Sequence, residues 1–354
     1  MTSTYRVVQI SRVRLNPYVR LLQTALLQAG VPCSTAEGIS PLHLPLGPGV
    51  ANVLHLHWLE LLYSAPTQGR TALRLAAVLT GLAWAKVRGS KIVCTVHNLR
   101  PHEQDAPALN RVANAALSVL ADALHVHDEE AKAGATLVYG RPDRIFVVPH
   151  GSYIGAYPND CTRHDARARL GLPEDAFVYL CLGQIRRYKG IEDLIAAFKQ
   201  LSASEASNCH LLLAGHIHDP VYARYLSELT LGQQGIHTWF QYVGDAELQY
   251  FMNACDVCVL PYRDTTTSGA AILAFSFGKP VIAPALGGFP ELLAGGRGIV
   301  YDPQMGGGLP GALQEARSTD MVAAGKKALN WAGEHEWRTL APRFMHIYES
   351  VLGA

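Results

Sequence analysis

Residues 261–293, PYRDTTTSGAAILAFSFGKPVIAPALGGFPELL, pass from a polar turn into an apolar helix and on to a buried strand. Thr265, Thr266, Thr267 and Ser268 supply four hydroxyls. Gly269 lets backbone approach closely, and Ala270 to Phe277 reads as the helix that follows. Backbone N–H groups at a helix N-terminus, with the positive end of its dipole, favour a phosphate or carboxylate. An ordinary Ser/Thr cap accounts for the same residues.

Upstream, Phe177 to Leu182 forms a first strand of the same half and runs into GQIRRYKG at 183–190. Ile191 to Leu201 then spaces Ile191, Leu194, Ile195, Phe198 and Leu201 on one helix face. Three cations, Arg186, Arg187 and Lys189, lie between two glycines at the start of that helix, where charge-assisted hydrogen bonds to a diphosphate add to the helix dipole. A solvated basic turn is the simpler reading of this loop alone. Two such loops at strand ends in one half point to a shared diphosphate site, with Gly183, Gln184, Arg186, Arg187, Lys189, Thr265, Thr267, Ser268 and Gly269 as its candidate contacts. Further strands are expected at 210–214, 238–240, 257–260, 280–283 and 298–301.

The first half alternates in the same way. Strands are expected at 5–10, 52–56, 91–95, 123–126 and 145–148, with helical spacing over 19–29. A polar stretch at 153–177 separates the halves. Repetition of strand, crossover and strand argues parallel sheets covered on both faces, with ligands outside the carboxyl ends of the strands. Polar residues gather at those ends: His55, His57 and Trp58; His97, Asn98, His102 and Glu103; His127 and Asp128; His150. Each histidine alone is more often a structural side chain, but their common position marks a cleft. No H-x-x-x-H or H-E-x-x-H spacing occurs, which ranks metal chemistry low. The loop 11–18 lacks G-x-G-x-x-G, so a dinucleotide cofactor loses its main support.

Composition narrows the class. With 354 residues, 49% apolar and 17% charged, the chain suits two globular domains. Thirty basic against 29 acidic residues give a net charge of +1 and no case for a nucleic-acid partner. No signal peptide is visible at the start, and the longest apolar stretch, Leu75 to Ala85, falls well short of the roughly 20 residues a spanning helix needs. Seven scattered cysteines fit reduced core thiols in the cytoplasm, and Cys255/Cys258 reads as core rather than redox pair. Arg70, Arg74, Lys86, Arg88 and Lys91 flank the apolar stretch, a pattern shared by a core helix with solvated ends and by a helix peripheral to the inner face of an anionic membrane.

GQIRRYKG with its helix, VGDAELQYFMNACDVCVLPY and SFGKPVIAPALGGFPELL resemble the carboxyl-terminal half of GT-B glycosyltransferases that use nucleotide-diphospho-sugars. NPYVRLLQTALLQAG, HLHWLE, TVHNLRPHE and VPHGSY are similar to the bacterial group that builds polysaccharides and glycolipids, family 4-like. The resemblance implies an α/β fold of two Rossmann-like domains facing each other across a cleft. An acceptor-binding domain would cover 1–157, a donor-binding domain 158–335, and a terminal helix at 336–354 would cross back to the first. It also implies a hexosyl transfer without a required metal, from a nucleotide-sugar to a glycan, a lipid-linked or a small-molecule acceptor. His97, Glu103 and Asp128 are candidates for the base, and Asn16, His57, Trp58 and His150 for acceptor contacts.

Two departures stand out. Gln184 occupies the position where many relatives carry arginine, with Arg186 as the nearest substitute. Thr265 and Leu273 replace the two glutamates of the retaining branch, so neither retention nor inversion carries over. A nucleotide-sugar epimerase or hydrolase, or a non-catalytic nucleotide-sugar binder, would show much the same phosphate grip.

Overall fold

The computed structural model describes residues 5–39, 51–99, 106–204, 208–305 and 307–353. The chain divides into two compact units, an amino-terminal one that takes in 1–151 and 337–354, and a carboxyl-terminal one of 152–336. The divisions thus fall at 151/152 and 336/337, against the expected 157/158 and 335/336. Two backbone ties explain why 152–157 joins the second unit: Ser152 N–H donates to His335 O at 2.8 Å, and Tyr153 N–H to Ser276 Oγ at 2.8 Å.

The amino-terminal unit holds β1 (Tyr5–Ile10), β2 (Cys33–Ala36), β3 (Ala51–His57), β4 (Lys91–Thr95), β5 (Ala123–Val126) and β6 (Ile145–Val147), all parallel, in the order β2-β1-β3-β4-β5-β6. Its helices are α1 (Tyr18–Gln28), α2 (Leu59–Tyr63), α3 (Gln68–Val87), α4 (Pro107–Leu120) and α5 (Glu129–Tyr139). The carboxyl-terminal unit follows with α6 (Arg163–Leu170), β7 (Phe177–Leu182), α7 (Ile191–Ser204), β8 (Cys209–Ala214), α8 (Pro220–Thr230), β9 (Ile236–Trp239), α9 (Leu248–Ala254) and β10 (Val257–Val259). It continues with α10 (Gly269–Ser276), β11 (Val281–Pro284), α11 (Phe289–Leu293), β12 (Gly298–Tyr301), α12 (Gly308–Ser318) and α13 (Met321–Glu334). Its parallel sheet runs β12-β11-β10-β7-β8-β9. A last helix, α14 (Trp337–Leu352), returns to the amino-terminal unit.

Alternation along each strand supplies two buried faces, as parallel sheets require. In the first unit Val7, Val53, Val93 and Ala123 face α1 and α14, while Val8, Leu54, Ile92 and Leu124 face the side on which Leu75 of α3, Leu117 of α4 and Ala135 of α5 pack. In the second, Val178 and Leu180 lie on the face with α9 and α10, and Tyr179 and Cys181 on the face with α7 and α12. One buried charge stitches the second unit together. Arg167 is 0% exposed; its guanidinium donates to the carbonyls of Ala254 at 3.1 Å and Ala176 at 2.8 Å and pairs with Asp256 at 2.9 Å. All seven cysteines are free thiols; Cys255 and Cys258 are buried in the core, with sulfurs 4.0 Å apart. No helix among the described residues is long and apolar enough to cross a membrane.

The expected strands and helices agree with these elements to within one to three residues at each end, and β2 was not expected. Cys33-Ser34-Thr35-Ala36 is a short edge strand with two exposed hydroxyl residues and no apolar alternation, so its place is set by pairing with β1 rather than by its own pattern.

Candidate functional site

In the carboxyl-terminal unit the ends of β7 and β8 are pressed together. Gly183 takes φ 127° and Gly215 φ 147°, and a Cβ on Gly215 would lie 1.7 Å from Gly183 O. Only glycine fits there. Ile185 N–H donates to His216 O at 3.0 Å, and the chain then makes a 3-10 turn, Arg187–Lys189, closed by Gly190 in the left-handed region at φ 63°. A Cβ on Gly190 would meet Pro261 O at 2.3 Å. This contact brings the basic loop against the turn that precedes α10.

Further bonds lock the two loops together. Arg263 N–H donates to Tyr188 O at 2.7 Å, while its guanidinium pairs with Asp193 at 2.7 Å and Glu192 at 2.9 Å, both in the first turn of α7. Lys189 Nζ lies 5.3 Å from the centre of the Tyr262 ring, half-buried, and makes no ion pair among the described residues. Ser268 caps α10, its Oγ accepting Ala271 N–H at 3.3 Å. The turn itself is pinned from behind: Gly288 N–H donates to Thr266 O at 3.1 Å, and a Cβ on Gly287 would lie 2.4 Å from Thr265 O. Thr265, Thr267 and Gly269 are half-buried along this wall, Arg186 is half-buried on the facing loop, and Gln184 is exposed beside it. Arg187 is occupied elsewhere, its guanidinium 3.0 Å from Asp219 and 4.6 Å over the Tyr222 ring. Lys189 and Arg186 thus lie on a loop braced against the turn that leads into α10, and cations beside a helix N-terminus are an arrangement that favours an anion.

The amino-terminal unit carries a different constellation. Because side chains alternate, His55 and His57 of β3 share a face with Gln9, Thr95 and His125, and the chain beyond the strands adds His97, His127 and His150. All six imidazoles are buried. Tyr18, at the start of α1, packs edge-on against His57, His97, His127 and His150 at ring distances of 5.5, 5.0, 5.6 and 4.9 Å. Trp58 stacks flat on His97 at 3.7 Å. Its φ of 46° is the only left-handed value at a non-glycine residue among those described, a strain that holds the indole over the imidazole.

Hydrogen bonds assign the tautomers. His57 Nε2–H donates to Gln9 Oε1 at 2.6 Å, so its Nδ1 accepts from His97 Nε2–H at 3.3 Å. A second chain runs from Tyr348 OH to His55 Nδ1 (2.9 Å), from His55 Nε2–H to Thr95 Oγ1 (2.7 Å), from Thr95 OH to His125 Nδ1 (2.9 Å), and from His125 Nε2–H to Val148 O (2.9 Å). His127 Nδ1–H also donates to Val148 O, at 3.3 Å, which leaves its buried Nε2 a bare lone pair without a partner. Burial holds His57 down to about 3, and His125 and His150 to about 4. His55, His97 and His127 lie well below the ordinary imidazole value, through burial first and neighbouring imidazoles second. These six groups are neutral hydrogen-bonding partners rather than cations.

His57, Trp58, His97 and His150 are thus gathered around Tyr18. Asn16 sits beside them in sequence, its Oδ1 accepting Tyr18 N–H at 2.9 Å. Asp128 caps α5, with Oδ1 accepting Ala131 N–H at 2.7 Å. Glu103 lies outside the described residues. Among the described residues no group of three or more His, Cys, Asp or Glu could hold a metal. Sequence reasoning singled out neither Tyr18, Gln9 and Tyr348 in this unit nor Tyr262 under Lys189. The H-x-H pairs at 55/57 and 125/127 were the available signal, since that spacing on a strand puts both rings on one face.

Residues 162–307 match the family described as glycosyl transferases group 1. A GDP-mannose:glycolipid 4-beta-D-mannosyltransferase from Xanthomonas campestris is 30% identical over 272 residues, covering 76% of this chain and 70% of the relative. A D-inositol 3-phosphate glycosyltransferase from Catenulispora acidiphila is 28% identical, over 96% of this chain and 84% of its own. Among solved structures, HepE from Anabaena in complex with UDP superposes with a TM-score of 0.73 at 17% identity, covering 98% of this chain and 100% of its own. Sucrose-phosphate synthase from Thermosynechococcus elongatus does so with 0.72 at 20% identity over 99% of each chain. These likenesses show the GT-B class of α/β fold, and with the sequence relatives they place the chain in a family: it belongs to the group 1 glycosyl transferases.

Proposed function

We propose that this glycosyltransferase takes a hexosyl group from a nucleotide-diphospho-sugar and passes it, without a metal, to a hydroxyl of a glycolipid or another glycan acceptor. The observation that carries the reading is Lys189, a half-buried ammonium without an ion-pair partner among the described residues, on a loop braced against the N-terminus of α10. When the anomeric C–O bond to the diphosphate breaks, negative charge grows on the leaving oxygens. Lys189, Arg186 and the α10 amides neutralise it, the role a metal fills elsewhere. Thr265, Thr267, Ser268 and Gly269 line the donor.

The acceptor reading assigns its hydroxyls to the imidazole and indole groups around Tyr18, with His127 Nε2 as a further acceptor of a hydroxyl hydrogen bond. His97 is held far below the pKa that suits a general base near neutral pH, so its role here is to orient through a hydrogen bond. Seven free thiols support a reducing, cytoplasmic setting. The test is nucleoside-diphosphate release from UDP-, GDP-, ADP- and dTDP-sugars, with and without a glycolipid acceptor. Release from one donor that depends on the acceptor is expected. Sugar isomerisation or hydrolysis alone would point to the epimerase or hydrolase reading, and binding without turnover to a non-catalytic one.

A further inference from the structure

The amino ends of the strands in the first unit, opposite the ends at which the imidazoles gather, hold a hollow that the transfer reaction does not use. Where α14 stops, its last turn and the amino ends of β4, β5 and β6 enclose about 400 Å³, within the size range of sites for small organic ligands. Lys91 opens β4 and alternates in phase with Val93, so its side chain lies on the face that α1 and α14 cover. Phe146 of β6 packs on the same face and gives the hollow an aromatic side. Asp143 and Arg144 come from the short turn Pro142–Arg144 that leads into β6, while Ser350 and Val351 of α14 form the wall on the helix side.

The charges around this hollow are unevenly answered. Asp122, at its floor, pairs with Lys86 at 3.0 Å and accepts Ile92 N–H at 2.8 Å, so its charge is met within the fold. Lys91 is half-buried and makes no hydrogen bond or ion pair among the described residues. The Arg144 guanidinium lies 3.9 Å from Asp143, but the two side chains are 49% and 77% exposed, and a pair so open to water holds little. An ammonium and a guanidinium are thus left to an incoming anion, and charge-assisted hydrogen bonds to phosphate use both groups. One strand, β5, separates β4 from β6, which sets the two residues about 10 Å apart at the backbone, a span that two long side chains close on one phosphate. Beside these donors stand acceptors: the Asp143 carboxylate and the last carbonyls of α14, which have no partner within the helix. Hydroxyls suit them, and the flat face of a sugar ring suits Phe146.

We propose that this hollow binds a small phosphorylated sugar or polyol, its phosphate between Lys91 and Arg144 and its hydroxyls toward Asp143 and the end of α14, at a site separate from the donor and acceptor sites and independent of how those are read. The test is calorimetric titration of the full chain with glucose 6-phosphate, glycerol 3-phosphate, inorganic phosphate and glucose, with hydrogen exchange read by peptide to locate the ligand. Glucose 6-phosphate is expected to bind roughly tenfold or more tightly than inorganic phosphate or glucose, and to protect 91–95, 142–147 and 347–352. Lys91→Gln and Arg144→Gln should each weaken it about tenfold, the loss of one charge-assisted contact. Unchanged thermal unfolding shows that the variants are folded, and nucleoside-diphosphate release without the ligand should stay at the wild-type rate in both. Protection confined to 183–190 and 261–269, or none anywhere at millimolar glucose 6-phosphate, overturns the proposal. Affinity unchanged in the folded double variant does the same, and so does equal affinity for glucose 6-phosphate and inorganic phosphate, which would leave the hydroxyl acceptors without a role.

Discussion

Six neutral imidazoles in one core make the amino-terminal unit sensitive to mild acid. An unfolded histidine titrates near 6.5, whereas burial holds His57 near 3 and His125 and His150 near 4, with His55, His97 and His127 also depressed. Below 6.5 the unfolded chain therefore binds protons that the native unit refuses. Stability is full above that pH and falls as pH drops toward the folded values. His57, His125 and His150 each cost about 2 kcal/mol between pH 7 and pH 5, and the three together about 6 kcal/mol, a large share of the stability of an ordinary domain, to which His55, His97 and His127 add in the same direction. Carboxylates contribute little in this window, because their unfolded values lie near 4. Hydrogen exchange read peptide by peptide from pH 7.5 to 5 should show β3, β4 and β5 losing protection while β7, β8 and β10 keep theirs. Urea titrations over the same range should give a falling stability for the first unit. A change smaller than about 2 kcal/mol, the value for one histidine, would refute the reasoning.

Other expectations concern single residues. Lys189→Ala should lower transfer about a hundredfold while leaving the unfolding midpoint in place, measured by nucleoside-diphosphate release; wild-type turnover would remove Lys189 from the donor site. Arg167→Met leaves the carbonyls of Pro173, Glu174, Ala176 and Ala254 without their donor and Asp256 with Arg163 as its remaining ion pair, and should destabilise the second unit by about 3 kcal/mol in urea titrations. Gly215→Ala forces apart the ends of β7 and β8, so nucleotide affinity measured calorimetrically should fall at least tenfold even where the protein still folds. His127→Phe keeps the ring and removes the bare Nε2. KM for the acceptor should rise with kcat for donor hydrolysis unchanged, and an unchanged KM would leave that nitrogen without a function.

The backbone of the two loops beside α7 and α10 was largely legible because its signals are local. Glycines 183 and 190, the cations between them and the hydroxyl turn before an apolar helix all lie within short stretches whose backbone demands show in the residue types. What was not legible depends on partners far away in sequence. The ion pair and ring contact of Arg187 with Asp219 and Tyr222, and the Ala131 N–H accepted by the Asp128 carboxylate, leave no mark in the sequence around either residue. The histidines could be placed at strand ends, but that they are neutral, layered and wrapped around Tyr18 follows from α1 and α14 covering that face. Edge strand β2 escaped for a related reason: pairing, not composition, makes it a strand.

The division of the chain also orders its synthesis. The carboxyl-terminal unit is contiguous over 152–336, so everything it needs leaves the ribosome together. The amino-terminal unit, although made first, must wait for α14, whose Phe344 and Tyr348 close over Val7, Val53 and His55. Until then it carries a sheet face covered by α1 alone for as long as two hundred residues take to translate, some tens of seconds at about 5–20 residues per second. The nascent protein is thus most exposed to aggregation and to chaperone capture in the half that was made first.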